Sequence, residues 1–122
     1  MKKACPVVLR NQEGDPEILV FKHPLAGTQL VKGTIEPGEA DLAAAERELR
    51  EEAGIALRAL YQLLEWQRHP DEPIWAICMM ESGHNLPEQW QHLCEDDGGH
   101  LFEYFWHPFG TTAEFKLAPC FC

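Results

Sequence analysis

Residues 33–55 read GTIEPGEADLAAAERELREEAGI, and the order of residue types in this stretch decides the fold around it. Glu36-Pro37-Gly38-Glu39 has Pro and Gly at the second and third positions of a four-residue turn, where a type II turn takes them. Asp41 to Ala53 is then rich in Ala, Leu, Glu and Arg, all strong helix formers. Asp41 suits the positive end of a helix dipole, and Gly54 sits where a left-handed C-terminal cap belongs. The spacing predicts a helix over 41–53. On a wheel of about 100° per residue, Leu42, Ala45, Leu49 and Ala53 form one narrow apolar stripe that packs on a sheet. Glu48, Glu51 and Glu52 fall about 120° around from that stripe, on a rim beside the sheet and outside the core.

Three glutamates three and four residues apart repel one another on an isolated helix. A run of charge is most often a solvated face. A divalent cation is the alternative that would compensate it, since magnesium prefers hard carboxylate oxygens. Arg47, four residues before Glu51, can pair with it, whereas Arg50 points toward another side.

Working outward, residues 4–10 and 17–23 read as short apolar strands joined by the turn-rich NQEGDP. Residues 28–32 read as a third strand ending at Gly33. Residues 58–66 and 74–80 read as two more, although periodicity leaves 58–66 open to a helix. Residues 82–100 read as a long polar loop with room for a short element around 87–93, residues 101–106 as a last strand, and the tail 109–122 as weakly patterned. The total is five or six strands around one strong helix: a mixed sheet with helical cover. No repeat or linker divides residues 1–122, so one domain is expected.

The balance of 20 acidic against 10 basic residues, a formal charge of -10, argues against a polymeric nucleic acid as partner, which needs a basic footprint. It leaves small phosphate ligands open, because an acidic site can bind phosphate through a metal. No run approaches membrane-spanning length, and the apolar run Ala4 to Leu9 is too short for a signal-peptide core, so a cytoplasmic protein without membrane partner is the default. The cysteines at 5, 78, 94, 120 and 122 are odd in number and form no Cys-x-x-Cys pair, which reads as reduced thiols. With His92 and His100 they match no standard zinc spacing.

The frame around the acids is what lifts them above a solvated face. Gly33, five residues, Glu39, seven residues, then Arg47-Glu48-Leu49-x-Glu51-Glu52-x-Gly54-Ile55, with Arg50 and Ala53 at the free positions, fixes nine positions, and such a pattern arises by chance in a chain this long with a probability of roughly 10⁻⁷. It resembles the Nudix box at every defining position, over 23 of 122 residues. The resemblance implies an α/β/α sandwich with a mixed sheet, in which the box is a loop–helix–loop, and hydrolysis of a nucleoside diphosphate linked to another group with Mg²⁺ or Mn²⁺ as cofactor. By position it implies Glu48, Glu51 and Glu52 as metal ligands, Arg47 and Glu39 as residues that brace and complete the site, and Gly33 and Gly54 as turning points of the backbone.

That chemistry suits the residue types. A cation offsets the charge of a diphosphate and lowers the pKa of a bound water, and a carboxylate takes the water's proton. Candidates for that base are Glu51, Glu52 and the loop cluster Glu95-Asp96-Asp97, which could equally supply a fourth ligand or be a plain polar turn. Lys32 could contact phosphate or simply be solvated. His84, His92 and His100 have no matched spacing, and the four tryptophans are candidates for base stacking or, more commonly, packing.

The partner expected is a small nucleotide or diphosphate, and homodimerisation stays open. Pro70, 15 residues after Ile55, resembles a downstream proline of ADP-ribose pyrophosphatases. Leu30-Val31-Lys32-Gly33 resembles the run before the box in diadenosine polyphosphate hydrolases but lacks their proline, and their downstream tyrosine is missing at 71–73. The NADH pyrophosphatase signature is absent. Two other classes remain: a catalytically silent nucleotide-binding module, and an isoprenyl-diphosphate isomerase on the same fold, which needs a cysteine acid that only Cys78 or Cys94 could supply.

Overall fold

The computed structural model of the protein describes residues 1–94 and 99–108. In chain order the elements are β1 (Lys2–Val7), β2 (Leu9–Gln12), β3 (Asp15–His23), β4 (Gly27–Gln29), β5 (Gly33–Thr34), α1 (Asp41–Ala53), β6 (Ala59–Trp66), β7 (Ile74–Met80), β8 (Gln89–Cys94) and β9 (His100–Pro108). One sheet has the order β5-β1-β7-β6, with β1 and β7 parallel and the other pairs antiparallel. The other has the order β2-β3-β9-β8, all antiparallel, with β4 also on β3. The mixed α+β class expected from the sequence holds, with α1 as the helix among the described residues.

Local chemistry explains most boundaries. The expected turn before the helix forms: the Glu39 N–H donates to the Glu36 carbonyl (3.0 Å), and Gly38 takes φ 78°. Lys2 reaches across from β1 to Asp41 in the first turn of α1 (3.0 Å) and to Glu65 of β6 (2.6 Å).

Three strand readings change. Residues 4–10 are two strands, because the chain leaves one sheet after Val7 and enters the other at Leu9; between them the Val8 carbonyl accepts the Leu19 N–H (2.9 Å). The strand expected at 28–32 stops at Gln29, and Leu30 to Lys32 run on as buried, non-strand chain. The polar stretch around 87–93 is a strand, β8, paired along its whole length with β9. Its Trp90, His92 and Cys94 alternate with more exposed neighbours, the period-two pattern of a half-covered strand. The ambiguous 58–66 segment is strand β6, at the sheet edge.

Alternation along the strands divides the core in two. Ala4, Leu19 and Phe21 face a cluster shared with Ala44, Ala45, Leu49 and Ala53 of α1. Cys5, Ile18 and Val20, one residue out of phase, face the opposite side with Trp75. In the first cluster Phe21 stacks on Phe102 (4.5 Å between ring centres), and Trp90 lies nearly parallel to Tyr104 (5.3 Å, 11°). Replacing Phe21 by Ala removes the ring at the middle of this stack and should cost about 3–5 kcal/mol of stability by chemical denaturation; a loss under about 1 kcal/mol would mean that the stack is not the centre of the core.

Candidate active site

The site is built where α1 meets the short strand β5. Arg47, at the middle of α1, uses all five guanidinium hydrogens. Its Nε and Nη2 clamp both oxygens of Glu39 (2.7 and 2.9 Å). Its Nη1 donates to Glu48 (2.8 Å) and to Glu51 (3.2 Å), and Nη2 also donates to the carbonyl of Thr34 (3.0 Å). One side chain thereby ties the loop entry, the helix face and β5 together. A lysine has no planar fork to do the same.

Glu39 is fixed twice. Besides Arg47, it accepts the backbone N–H of Glu36 (3.0 Å), closing the turn that launches the helix. The Arg47 guanidinium first, and that N–H second, hold its carboxyl down at about 2, against an ordinary value of 4.5.

The three helix carboxylates are not equivalent. Glu48 and Glu52 are buried, whereas Glu51 is about half exposed at its side chain (48%). The rim position read from the helical wheel holds only for Glu51. The physical reason is a second wall: α1 contacts β5 and β8 as well as β1, β6 and β7, so the row Ala44, Glu48, Glu52 is covered although it lies off the apolar stripe. Gly33 sets the depth of that wall. A Cβ at Gly33 would come within 2.0 Å of the Glu48 carboxyl carbon, so the backbone of β5 lies directly against the carboxylate. Arg50 is exposed on the outer face, as expected.

Gly54 is required twice over. It takes φ 74° as the C-cap, with its N–H donating to the Arg50 carbonyl (3.0 Å), and a Cβ there would lie 2.6 Å from the His92 ring. Trp90, expected only to stack or pack, and His92, given no role, both reach the helix end: Trp90 Nε1 donates to the Ala53 carbonyl (2.9 Å), and His92 Nε2 lies 3.1 Å from the Glu51 carbonyl. The signal that would have found them is the alternation in QWQHLC.

Other candidates stand elsewhere. Lys32 is buried with its ammonium 4.5 Å from the centre of the Trp75 ring, a packed cation and not a solvated one. Glu95, Asp96 and Asp97 lie outside the described residues, as do Cys120 and Cys122. Cys78 is buried under the start of α1, 3.9 Å from the Asp41 carbonyl, and burial pushes its thiol up to about 11. Cys94 is buried in the core. A cavity of about 350 Å³ over β3, β8 and β9 is lined by Lys22, Gln91, Glu103 and Phe105 among others, and none of the α1 carboxylates borders it.

As donors, Glu48, Glu51 and Glu52 offer the hard oxygens that Mg²⁺ and Mn²⁺ take. Among the described residues no three acidic, histidine or cysteine side chains already converge as a cage. Magnesium does not need one: it keeps several waters and commonly binds through one or two carboxylates with substrate phosphates completing the shell. The donor set therefore fits.

Comparison with known proteins gives one family: the NUDIX domain model matches residues 2–119. No curated protein matches the sequence. Among solved structures, a MutT/nudix family protein from Enterococcus faecalis superposes with TM-score 0.56 at 18% identity, covering 65% of this chain and 35% of that one. A C. elegans Ap4A hydrolase gives 0.51 at 26% identity, with 65% and 64% covered. The NUDIX domain of Shewanella oneidensis NrtR, complexed with ADP ribose, gives 0.57 at 13% identity, with 97% and 79% covered. The chain thus spans about a third of the first of these proteins and just under two thirds of the second.

Two outcomes are expected from the geometry. Gly33→Ala should push Glu48 out of its place and destabilise the protein by about 1–3 kcal/mol in denaturant unfolding; an unchanged midpoint would mean that β5 can yield. Glu39 has a depressed folded pKa, so the stability it contributes is present above its unfolded value near 4.5 and is lost as pH falls toward about 2. Unfolding curves between pH 5 and pH 2, a window taken from those two values, should steepen in the parent relative to Glu39→Gln. Parallel curves would remove Glu39 from the acid response.

Proposed function

The chain belongs to the Nudix family, and from that premise we propose that it hydrolyses a phosphoric anhydride bond in a nucleoside diphosphate linked to another group, with Mg²⁺ or Mn²⁺ held by Glu48, Glu51 and Glu52. The observation that carries this reading is the Arg47 group: three carboxylates, Glu39, Glu48 and Glu51, share one guanidinium. Negative charge is in excess there, and Glu48 is buried. A divalent cation would relieve it.

When bound, the cation would neutralise diphosphate charge and acidify a water. The protein's own residues do the rest. Arg47 holds Glu48 and Glu51 at fixed positions on one side of α1, so the ligands are set before substrate arrives. Of the three ligands Glu48 and Glu52 are buried and Glu51 is the one open to solvent, so Glu51 is the ligand to which we also assign acceptance of the water's proton. Glu39, kept ionised by Arg47, stays charged throughout the working pH range and locks the loop against the helix. A reducing compartment suits Cys5, Cys78 and Cys94, three buried thiols among the described residues.

The deciding experiment is a hydrolysis screen with Mg²⁺ and with Mn²⁺ over Ap4A, ADP ribose and nucleoside triphosphates, with the products identified. Cleavage at a phosphoric anhydride, abolished by a chelator, is expected. Nucleotide binding without turnover across the whole panel would replace the enzyme with a silent binding module. Glu51→Gln and Glu52→Gln should each lower turnover by at least about a hundredfold with far-ultraviolet circular dichroism unchanged; full activity in both would sink the assignment of these carboxylates.

A further inference from the structure

A helix leaves its last carbonyls without partners inside the helix, and their satisfaction decides how firmly the last turn is held. In α1 that turn carries Glu51 and Glu52. The Arg50 carbonyl is taken by the Gly54 N–H, the Ala53 carbonyl by the Trp90 indole, and the Glu51 carbonyl by His92. A carbonyl only accepts, so His92 Nε2 carries the hydrogen in that contact. Two of the three donors come from one strand, β8, from residues on the same face of it.

The clamp has a stiff anchor. Trp90 stacks on Tyr104, Tyr104 packs at 5.4 Å from Phe21, and Phe21 stacks on Phe102, so the indole is continuous with the aromatic core. The fit at its other end is close: the His92 ring occupies the space that any side chain at position 54 would need. Further up the helix the carboxylate face is fixed by Arg47, which holds Glu48 and at the same time reaches Glu39 of the preceding turn and the Thr34 carbonyl of β5. The helix face is therefore held at two places by different elements.

We infer that Trp90 and His92 are positioning residues for the carboxylate face: by holding the Ala53 and Glu51 carbonyls they set the axial position and rotation of the last turn, and hence the placing of Glu51 and Glu52 relative to Glu48. The inference rests on the metal reading of those carboxylates. Neither residue touches the reacting atoms. Groups that orient metal ligands from behind commonly change metal affinity by tenfold or more when lost.

The test uses Mn²⁺ alone as probe, with binding to the full chain followed by electron paramagnetic resonance. Trp90→Phe keeps the stack and removes the donor; His92→Leu removes the donor; His92→Gln restores an N–H at similar reach. Trp90→Phe and His92→Leu should weaken Mn²⁺ binding on the order of tenfold, with His92→Gln close to the parent. Ile18→Ala, in the cluster on the opposite face, should lose stability and keep the parent's Mn²⁺ affinity. Parent-like Mn²⁺ binding in Trp90→Phe and His92→Leu would overturn the inference and leave β8 as a cap with no bearing on the site. If His92→Leu does not fold, Trp90→Phe decides alone. Glu52→Gln separates the two levels: if the parent binds no Mn²⁺, or Glu52→Gln binds it as well as the parent, the metal reading falls and the inference with it.

Discussion

The fork of Arg47 is the contact on which the site depends. It satisfies five donors on four partners: two carboxylates of the helix, one of the preceding turn and a carbonyl of β5. Charge-assisted bonds of this kind are the stronger class of protein hydrogen bond, and their planar geometry fixes direction as well as distance. The turn at Glu36–Glu39, the Glu48 and Glu51 carboxylates and β5 are joined through that one group.

The arrangement is polar where the rest of α1 is small and apolar. Ala44, Ala45, Leu49 and Ala53 bring the helix close to the strands, because alanines let the backbone approach. Close approach is what buries Glu48 and Glu52. A buried carboxylate needs a compensating partner, so small core residues and a charged site are two sides of one packing decision. At the far end, Trp90 and His92 hold the same helix through its backbone, so its two ends answer to separate parts of the sequence.

Much of this was legible in the chain. The helix span, the type II turn and the glycine cap follow from residue types within a few positions of one another, and the box fixes which side chains belong to the site. What escaped is non-local. The break at Val8 depends on two sheets competing for one apolar segment. The burial of Glu48 depends on β5, a two-residue strand with no pattern of its own. The roles of Trp90 and His92 depend on a strand that reads as a loop, since Gln, His and Trp carry its alternation in place of the usual aliphatic residues. Lys32 looked solvated because lysines at strand ends usually are, and only the fold brings Trp75 beneath it.

The parallel pairing of β1 with β7 has a consequence for how the chain is made. Lys2 to Val7 lie beside Ile74 to Met79, so the central ladder of that sheet joins segments about seventy positions apart. During synthesis β1 emerges well before β7, and until β7 is complete its ladder partner is β5, through Lys3 and Ala4. Closing so long a loop comes before any reward in contacts, and ladders of this kind form slowly. The helix and its turn are local and can form early. The parallel ladder beneath them has to wait for β7, so the helix and its turn can be in place before the sheet they pack on is complete.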